Sequence, residues 1–317
     1  MGHDHQEFIP SNCSILSVLF THLPEAATAT VVLNQILVDT GDLQVSEPPI
    51  GEGSSAVVRQ GVYKGIHKVA VKELKGAFVK GSKTQAEFRR EALSLISCAH
   101  KNILKLYGVC LSPTHGICIV TKFMQGGSLS DYLVKKKCLP TAEVIKLAKD
   151  VATGMRFLHS KGILHMDLKT ANVLLDEEGS AVIGDLGIAR VKDEKDDERP
   201  EIGTYQYMAP EVCAGALLDS KGGDMDWFTY KSDVYSFGIL LWELVTCELP
   251  YADYNPVQAA VGVMMHGLRP AIPASAYPPL RCLMQKCWHQ NPSCRPDFSQ
   301  VVQMLHIINS HEKTYTM

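Results

Sequence analysis

Paired cysteines at redox or metal-ligand spacing are missing from this sequence. Its ten cysteines (Cys13, Cys98, Cys110, Cys118, Cys138, Cys213, Cys247, Cys282, Cys287 and Cys294) are scattered singly, with no C-x-x-C. Cys98 and His100 lack a second ligand pair at zinc-finger spacing. No signal peptide is in view either, so reduced thiols and a cytoplasmic setting are the expectation. An excess of one charge is also absent. The 31 Lys and Arg against 34 Asp and Glu leave a net charge of −3, which gives no field to gather nucleic acid or an anionic membrane. Long apolar runs are lacking: Ile15 to Phe20 is broken by Ser17 and falls far short of the roughly 20 residues a spanning helix needs. Gly2 follows Met1, but Gln6 stands where a myristoylation signal has Ser or Thr. No anchor, repeat or low-complexity tract is expected. With 317 residues, 46% of them hydrophobic, the chain can bury a sizeable core as one large domain or two lobes.

What the chain does have is concentrated around Ile163-Leu164-His165-Met166-Asp167-Leu168-Lys169-Thr170-Ala171-Asn172-Val173-Leu174-Leu175. An apolar run leads into a short polar loop, and a second apolar run leads out. Farther on comes Asp185, in Val182-Ile183-Gly184-Asp185-Leu186-Gly187. Singly, each of Asp167, Lys169, Asn172 and Asp185 reads as a solvated loop residue. Together they suit one task. A carboxylate that can accept a hydroxyl proton, an ammonium, an amide oxygen and a second carboxylate can hold Mg²⁺ and a phosphate chain beside an alcohol.

Residues 1–42 match no motif, and Asn34 to Val38 reads equally as a short strand or a helix end. Ile50-Gly51-Glu52-Gly53-Ser54-Ser55-Ala56-Val57-Val58 is flanked by strand-like residues, and Val69-Ala70-Val71-Lys72 alternates as a strand does. Thr84 to Ser97 has helical periodicity, with Phe88, Ala92, Leu95 and Ile96 on one face and Glu91 beside it. Strands are expected at Ile103–Val109 and Ile117–Lys122, joined by a Ser-Pro-Thr-His-Gly turn. Ser128 is placed to cap a helix from Leu129. A strong helix follows from Thr141 to His159, and Asp233 to Val245 is apolar almost all round, as a buried helix is. A last helix, Phe298 to Ile308, precedes a polar tail at 309–317.

The motifs, in this order and spacing over roughly residues 43–308, resemble those of eukaryotic protein kinases. The polar loop is similar to the catalytic H-R-D-L-K-x-x-N, with Met166 in place of Arg. Asp185 opens the counterpart of D-F-G, with Leu186 in place of Phe. Met208-Ala209-Pro210-Glu211 matches the A-P-E end of the activation segment, and Ala56 stands at the third glycine of the glycine-rich loop. The resemblance implies an α+β bilobal fold: a small antiparallel β lobe with one helix at about 43–123, and a larger, mainly helical lobe at about 124–308. It implies transfer of the γ-phosphoryl group of ATP to protein hydroxyls in signal transduction, with ATP and Mg²⁺ (Mn²⁺ being the alternative) lying between the lobes.

In that resemblance Asp167 orients the hydroxyl and accepts its proton, and Lys169 steadies the γ-phosphate. Asn172 and Asp185 hold metal, and Lys72, paired with Glu91, grips the α and β phosphates. The nucleotide is expected to meet Ile50, Gly51, Glu52, Gly53, Ser54, Ser55, Ala56, Val57, Val58 and Ala70, the gatekeeper Thr121, the hinge residues Phe123 and Met124, and Leu174. Asp233 caps towards the catalytic loop, Arg295 pairs with Glu211, and Leu186 joins Leu95, Leu106 and His165 in an apolar column. Lys169 two residues after Asp167, and Thr204 and Tyr207 in a Gly-Thr-x-x-Tyr pattern, resemble serine/threonine kinases; Thr204 is expected to touch Asp167 and Lys169. Ser232-Asp233-Val234-Tyr235-Ser236-Phe237-Gly238, Leu241-Trp242-Glu243-Leu244 and Cys287-Trp288 are similar to the tyrosine-kinase-like branch. Pro256-Val257-Gln258-Ala259-Ala260 with Arg269-Pro270 looks most like plant Raf-like kinases.

The alternative reading is a pseudokinase serving as a scaffold or allosteric partner, which Met166 and Leu186 suggest and the intact polar positions disfavour. The partners implied are a protein substrate and upstream or scaffold proteins. One more absence bears on control. Ile188 to Gly203 contains no Ser, Thr or Tyr, and carries Asp193, Glu194, Asp196, Asp197, Glu198 and Glu201 instead. Since Met166 offers no charge to a loop phosphate, regulation is expected from partners, the leader or the Gly- and charge-rich insertion before Lys231.

Overall fold

The computed structural model describes residues 36–53, 56–75, 83–112, 116–191, 204–218 and 227–315. Ser54, Ser55, the centre of the Ser-Pro-Thr-His-Gly turn, the acidic run 193–201, most of the leader and residues 219–226 of the insertion lie outside the described residues. The chain forms two compact units. One takes the residues up to Ala99 and Lys105–Phe123; the other takes His100–Leu104 and the chain from Met124.

The first unit is built on β1 (Leu37–Val38), β2 (Leu43–Val45), β3 (Gly51–Glu52), β4 (Ala56–Tyr63), β5 (His67–Leu74), β6 (Leu106–Ser112) and β7 (Gly116–Lys122), with α1 (Lys83–Ile96) between β5 and β6. Strand order is β1-β6-β7-β5-β4-β2, with β3 also paired to β4. The pairs are antiparallel except β1, which runs parallel to β6 with Leu37 opposite Val109. Asn34 to Val38 thus yields a strand at its end, where the sequence left two readings open. The neighbouring strand accommodates it through Gly108: a Cβ there would lie 2.1 Å from the Ile36 carbonyl oxygen, so only glycine permits the approach. Alternation along β5 sorts its side chains. Val69 and Val71 are buried in a cluster with Val38, Cys110, Cys118 and Val120, while Ala70 and Lys72 project to the opposite face. Helix α1 buries Phe88, Ala92 and Leu95; Ile96, expected on the same stripe, is only half-buried.

The strand expected at Ile103–Val109 begins three residues later, at Leu106. The preceding backbone is engaged elsewhere. Ile103 bridges Ile183 in parallel, Leu104 N–H donates to Ile183 O at 2.8 Å, and Ile183 N–H donates to Asn102 O at 2.9 Å. Backbone groups satisfied by that bridge are not free for β7.

The second unit contains α2 (Leu129–Lys136), α3 (Thr141–Ser160), α4 (Pro210–Leu218), α5 (Tyr230–Thr246), α6 (Pro256–His266), α7 (Pro278–Cys287) and α8 (Phe298–Tyr315). Ser128 caps α2, accepting from Asp131 N–H at 3.0 Å. Helix α3 buries Val144, Leu147, Ala148, Val151, Met155 and Leu158, the apolar stripe read from its 3.6-residue period. Helix α5 is buried from Ser232 to Leu244. Helix α8 packs on α3 and continues through Tyr315, so most of the expected polar tail is helical. Short strands position the loops: β8 (Gly127–Ser128), β10 (Val173–Leu175) and β11 (Ala181–Ile183) form one sheet, β9 (Ile163–Leu164) and β12 (Arg190–Val191) another. Among the described residues no helix is long and apolar enough to cross a membrane.

Candidate active site

Strand β9 delivers the chain to a loop whose shape is imposed from below by α5. Asp233, 1% exposed, accepts from the backbone N–H of His165 and of Met166, each at 3.0 Å. It also bonds His159 Nε2 at 2.8 Å. Burial pushes its carboxyl up, but the His159 ring and the His165 N–H outweigh burial and hold it below its ordinary value. Pinned in this way, Met166 takes a left-handed backbone, φ +68°. That conformation disfavours a side chain other than glycine's and persists where surrounding bonds over-determine it.

The loop turns Asp167 into the hub of three donor groups. Its Oδ1 accepts from Thr204 N–H at 3.0 Å. Its Oδ2 accepts from Lys169 Nζ at 2.6 Å and from Asn172 Nδ2 at 3.0 Å. Lys169 Nζ also donates to Thr204 Oγ1 at 2.7 Å, so the ammonium bridges the loop and the segment beginning at Thr204, the contact expected from the sequence. Asn172 Nδ2 donates as well to the Asp167 carbonyl, at 2.8 Å, which leaves its Oδ1 to face a different partner.

Asp185 follows β11 by two residues. Gly184 N–H donates to Asn172 O at 2.9 Å, which ties the Asp185 turn to the Asn172 turn. Asp185 is exposed with φ +51°, a second left-handed residue at this point. Beside it Leu186 is fully buried, an apolar plug where the kinase motif has Phe. The donors available here, an amide oxygen and a carboxylate, are hard oxygens. Among the described residues no group of three His, Cys, Asp or Glu could hold an ion by itself. Two protein oxygens with the remaining positions left to water and phosphate is the way Mg²⁺ is commonly held. The residues fit a divalent cation carried with a nucleotide.

The first unit brings together a different set. Lys72 Nζ donates to Glu91 Oε2 at 2.6 Å, and the Glu91 side chain is only 6% exposed, so helix α1 fixes the lysine on β5. Val58 lies opposite Lys72, and Ala70 opposite Thr121; directly opposed residues share a face, so these four expected nucleotide contacts line one side of the sheet. Hairpin β3–β4 sets Gly51 opposite Val58 and Glu52 opposite Val57, closed by Gly53 N–H donating to Ala56 O at 2.9 Å. Among the described residues, a Cβ at Gly51 or Gly53 would meet nothing nearer than 3.8 Å. The glycines therefore serve no internal packing; they leave backbone that another molecule can approach closely. Phe123 N–H donates to Lys68 O at 3.1 Å. In the second unit Met124 is buried, with its carbonyl accepting from Gly127 N–H at 3.1 Å, and Leu174 is half-buried between Val173 and Leu175.

Below the activation segment Arg295 makes a fork on Glu211, 2.6 Å and 2.8 Å, with the guanidinium side fully buried. One group escaped the sequence reading. Ser236 and Glu243 share a face of α5 with Asp233, at i, i+3 and i+10. Ser236 Oγ donates to Tyr207 O at 2.8 Å. Glu243 accepts from Thr170 Oγ1 at 2.9 Å and from Tyr207 Oη at 2.5 Å. The signal was present: polar residues at helical spacing inside an otherwise apolar helix.

A family model described as protein tyrosine and serine/threonine kinase matches residues 45–305. The chain belongs to that kinase family. It is 42% identical over 250 residues to the serine/threonine-protein kinase STY46 of Arabidopsis thaliana, covering 77% of this chain and 41% of that protein. It is 40% identical over 269 residues to STY17 of the same plant, covering 84% and 45%. Similarity to the serine/threonine/tyrosine-protein kinase HT1, also from Arabidopsis thaliana, is 38% over 274 residues, covering 84% and 67%. The chain thus spans less than half the length of the first two relatives. Membership of the kinase family implies ATP and a divalent cation.

Proposed function

We propose that this kinase phosphorylates serine and threonine hydroxyls of proteins. The observation that carries the reading is Asp167 held by Lys169, Asn172 and Thr204 (2.6, 3.0 and 3.0 Å). It is a carboxylate aimed by three donors, with the lysine bridging to the segment that follows. When bound, ATP supplies the γ-phosphoryl group, with Mg²⁺, or Mn²⁺ in its place, offsetting its charge. Asp167 orients the incoming hydroxyl and takes its proton, and Lys169 steadies the charge as it shifts. Asn172 and Asp185 present oxygens to the metal. Lys72, aligned by Glu91, grips phosphate oxygens, the backbone of 51–53 approaches them, and Val58, Ala70, Thr121, Phe123, Met124 and Leu174 shape the site for the base. A cytoplasmic setting, Raf-like affinity, and upstream or scaffold partners complete the proposal. Met166, standing before Asp167, supports reading the protein as a kinase that lacks Arg before the catalytic Asp. Nothing favours a pseudokinase. HT1 is named for tyrosine as well as serine and threonine, which makes dual specificity the second reading.

A positional-scanning peptide array with purified protein, ATP and Mg²⁺ tests this. Phosphate on Ser or Thr peptides is expected. Phosphate on Tyr peptides alone, or on none while ATP binds, overturns it.

A further inference from the structure

We propose that Lys75 is a positioning residue for nucleotide binding. Through Glu52 it holds the Gly51–Gly53 backbone over Lys72, acting from the face of the sheet turned away from the nucleotide. This rests on the kinase reading above. The register sorts the two faces. Gly51 lies opposite Val58, and Val58 opposite Lys72, so these three share the face expected to meet phosphate. Glu52 lies opposite Val57, and Val57 opposite Glu73. That puts the Glu52 side chain on the other face, the one on which Val71 joins the buried apolar cluster. Its carboxylate is engaged there: Lys75 Nζ donates to Glu52 Oε1 at 2.6 Å. Glu52 is left to offer the phosphates its backbone. Lys75 follows β5 directly, three residues after Lys72, so the tie runs from the hairpin to the strand that carries the phosphate-gripping lysine.

An isolated exposed ion pair contributes little. This one belongs to a row of alternating charge on a single sheet face. Arg59, opposite Val71, bonds Glu47 just ahead of the hairpin. Its Nε lies 3.0 Å and 3.2 Å from the two Glu73 oxygens. The row therefore reads Glu47, Arg59, Glu73, Lys75, Glu52. Its centre is sheltered, with the Arg59 and Glu73 side chains 16% and 10% exposed, and its end is open, with Lys75 and Glu52 at 34% and 64%. The hairpin is thus held at its entry through Glu47 and near its tip through Glu52. When the tip is released, the backbone of 51–53 samples more positions above Lys72. Ordering it around the phosphates then costs affinity. Turnover of nucleotide already bound depends on Asp167 and is spared. A through-space effect of charge makes the opposite prediction for one substitution: a cation at position 52 attracts phosphate, whereas loss of the brace weakens its binding.

The test compares wild type, Glu52→Lys, Lys75→Glu and the exchanged pair Glu52→Lys/Lys75→Glu in the full chain. The readouts are ATP affinity by calorimetry with Mg²⁺, and kcat and KM for ATP with a phosphorylatable peptide from the array. Each single variant sets like charges side by side, so ATP affinity should fall about fivefold, with kcat within about twofold. The exchanged pair should recover wild-type affinity within about twofold. Raising NaCl from about 0.05 M to about 0.5 M should shrink the single-variant losses by about half or more, because exposed charges are then screened. Tighter or unchanged ATP binding by Glu52→Lys overturns the inference, as does an exchanged pair no better than the single variants. If a charge-reversed variant does not fold, Glu52→Gln, Lys75→Met and their combination decide. Each should weaken ATP about twofold and the combination no further; additive losses overturn the brace. Hydrogen exchange at 50–53 and 56–58 without nucleotide separates this inference from the kinase reading. Faster exchange in both single variants, reversed in the exchanged pair, supports the brace even if no peptide is phosphorylated. Equal exchange in all the proteins overturns it.

Discussion

The Asp167 loop and the Gly51–Gly53 hairpin are held in opposite ways. The loop is over-determined: two of its backbone N–H groups end on buried Asp233, one hydroxyl on buried Glu243, and Asp167 on three donors. It carries a left-handed non-glycine residue, Met166. The hairpin is exposed at 51–53, held by a two-residue ladder with β4, by Ile50 N–H on Val58 O and Gly53 N–H on Ala56 O and by an exposed Glu52–Lys75 ion pair. Among the described residues nothing lies nearer than 3.8 Å to where a Cβ would sit on Gly51 or Gly53. Groups that must meet a reacting atom within fractions of an ångström are fixed by a buried polar network. The backbone proposed to wrap a ligand has fewer such ties among the described residues. Strain is stored where the network can hold it.

The largest effects should come from the loop. Asp167→Asn keeps shape and removes the proton acceptor, so kcat is expected to fall by about 10²- to 10⁴-fold while ATP affinity stays within about threefold. Retained turnover would show that another group accepts the proton. Asp233→Ala leaves the N–H groups of His165 and Met166 without their buried acceptor. Chemical denaturation should report a loss of about 3 kcal/mol or more; a loss below about 1 kcal/mol would mean the loop is held from elsewhere.

The hairpin should respond in the reverse sense. Gly53→Ala has room for its Cβ and no positive φ to forbid it, so stability should change by no more than about 0.5 kcal/mol. ATP affinity should nevertheless drop several-fold, because the methyl occupies backbone that the phosphates approach. A destabilised protein with unchanged ATP affinity would invert the contrast drawn here.

Acid–base linkage sharpens it further. Glu243, raised from 4.5 to about 7, binds a proton more tightly folded than unfolded. Its contribution favours the fold below about pH 4.5 and is lost as pH rises through about 7. Glu243→Gln should flatten the fall in thermal stability over that window; an unchanged slope would assign it to other groups. The smallest effect concerns control. With no Ser, Thr or Tyr from Ile188 to Gly203 and no charge at Met166, phosphatase-treated protein, shown bare by mass spectrometry, should retain its initial rate. Activity that appears only after an upstream kinase modifies residues 186–211 would refute this.

Much of the architecture could be read in advance because it rests on local pattern. Helix α3 follows from apolar residues at helical spacing, α5 from a run apolar almost all round, and β5 from alternation. The Ser128 cap needs only its own neighbours. The candidate site residues come together for the same reason: Asp167, Lys169 and Asn172 sit within one loop, and Asp185 lies two residues past a strand that pairs directly with the strand after them. What lay beyond the sequence was long-range partnership. Residues 100–104 join the second unit because their backbone bonds Ile183, not β7. The parallel strand at Leu37–Val38 depends on the missing Cβ of Gly108. Glu243 looked like one more position on a buried helix. Periodicity specifies which side of α5 it occupies, but only folding sets Thr170 and Tyr207 against its carboxylate, because hydrogen-bond partners tens of residues apart leave no imprint on local propensity.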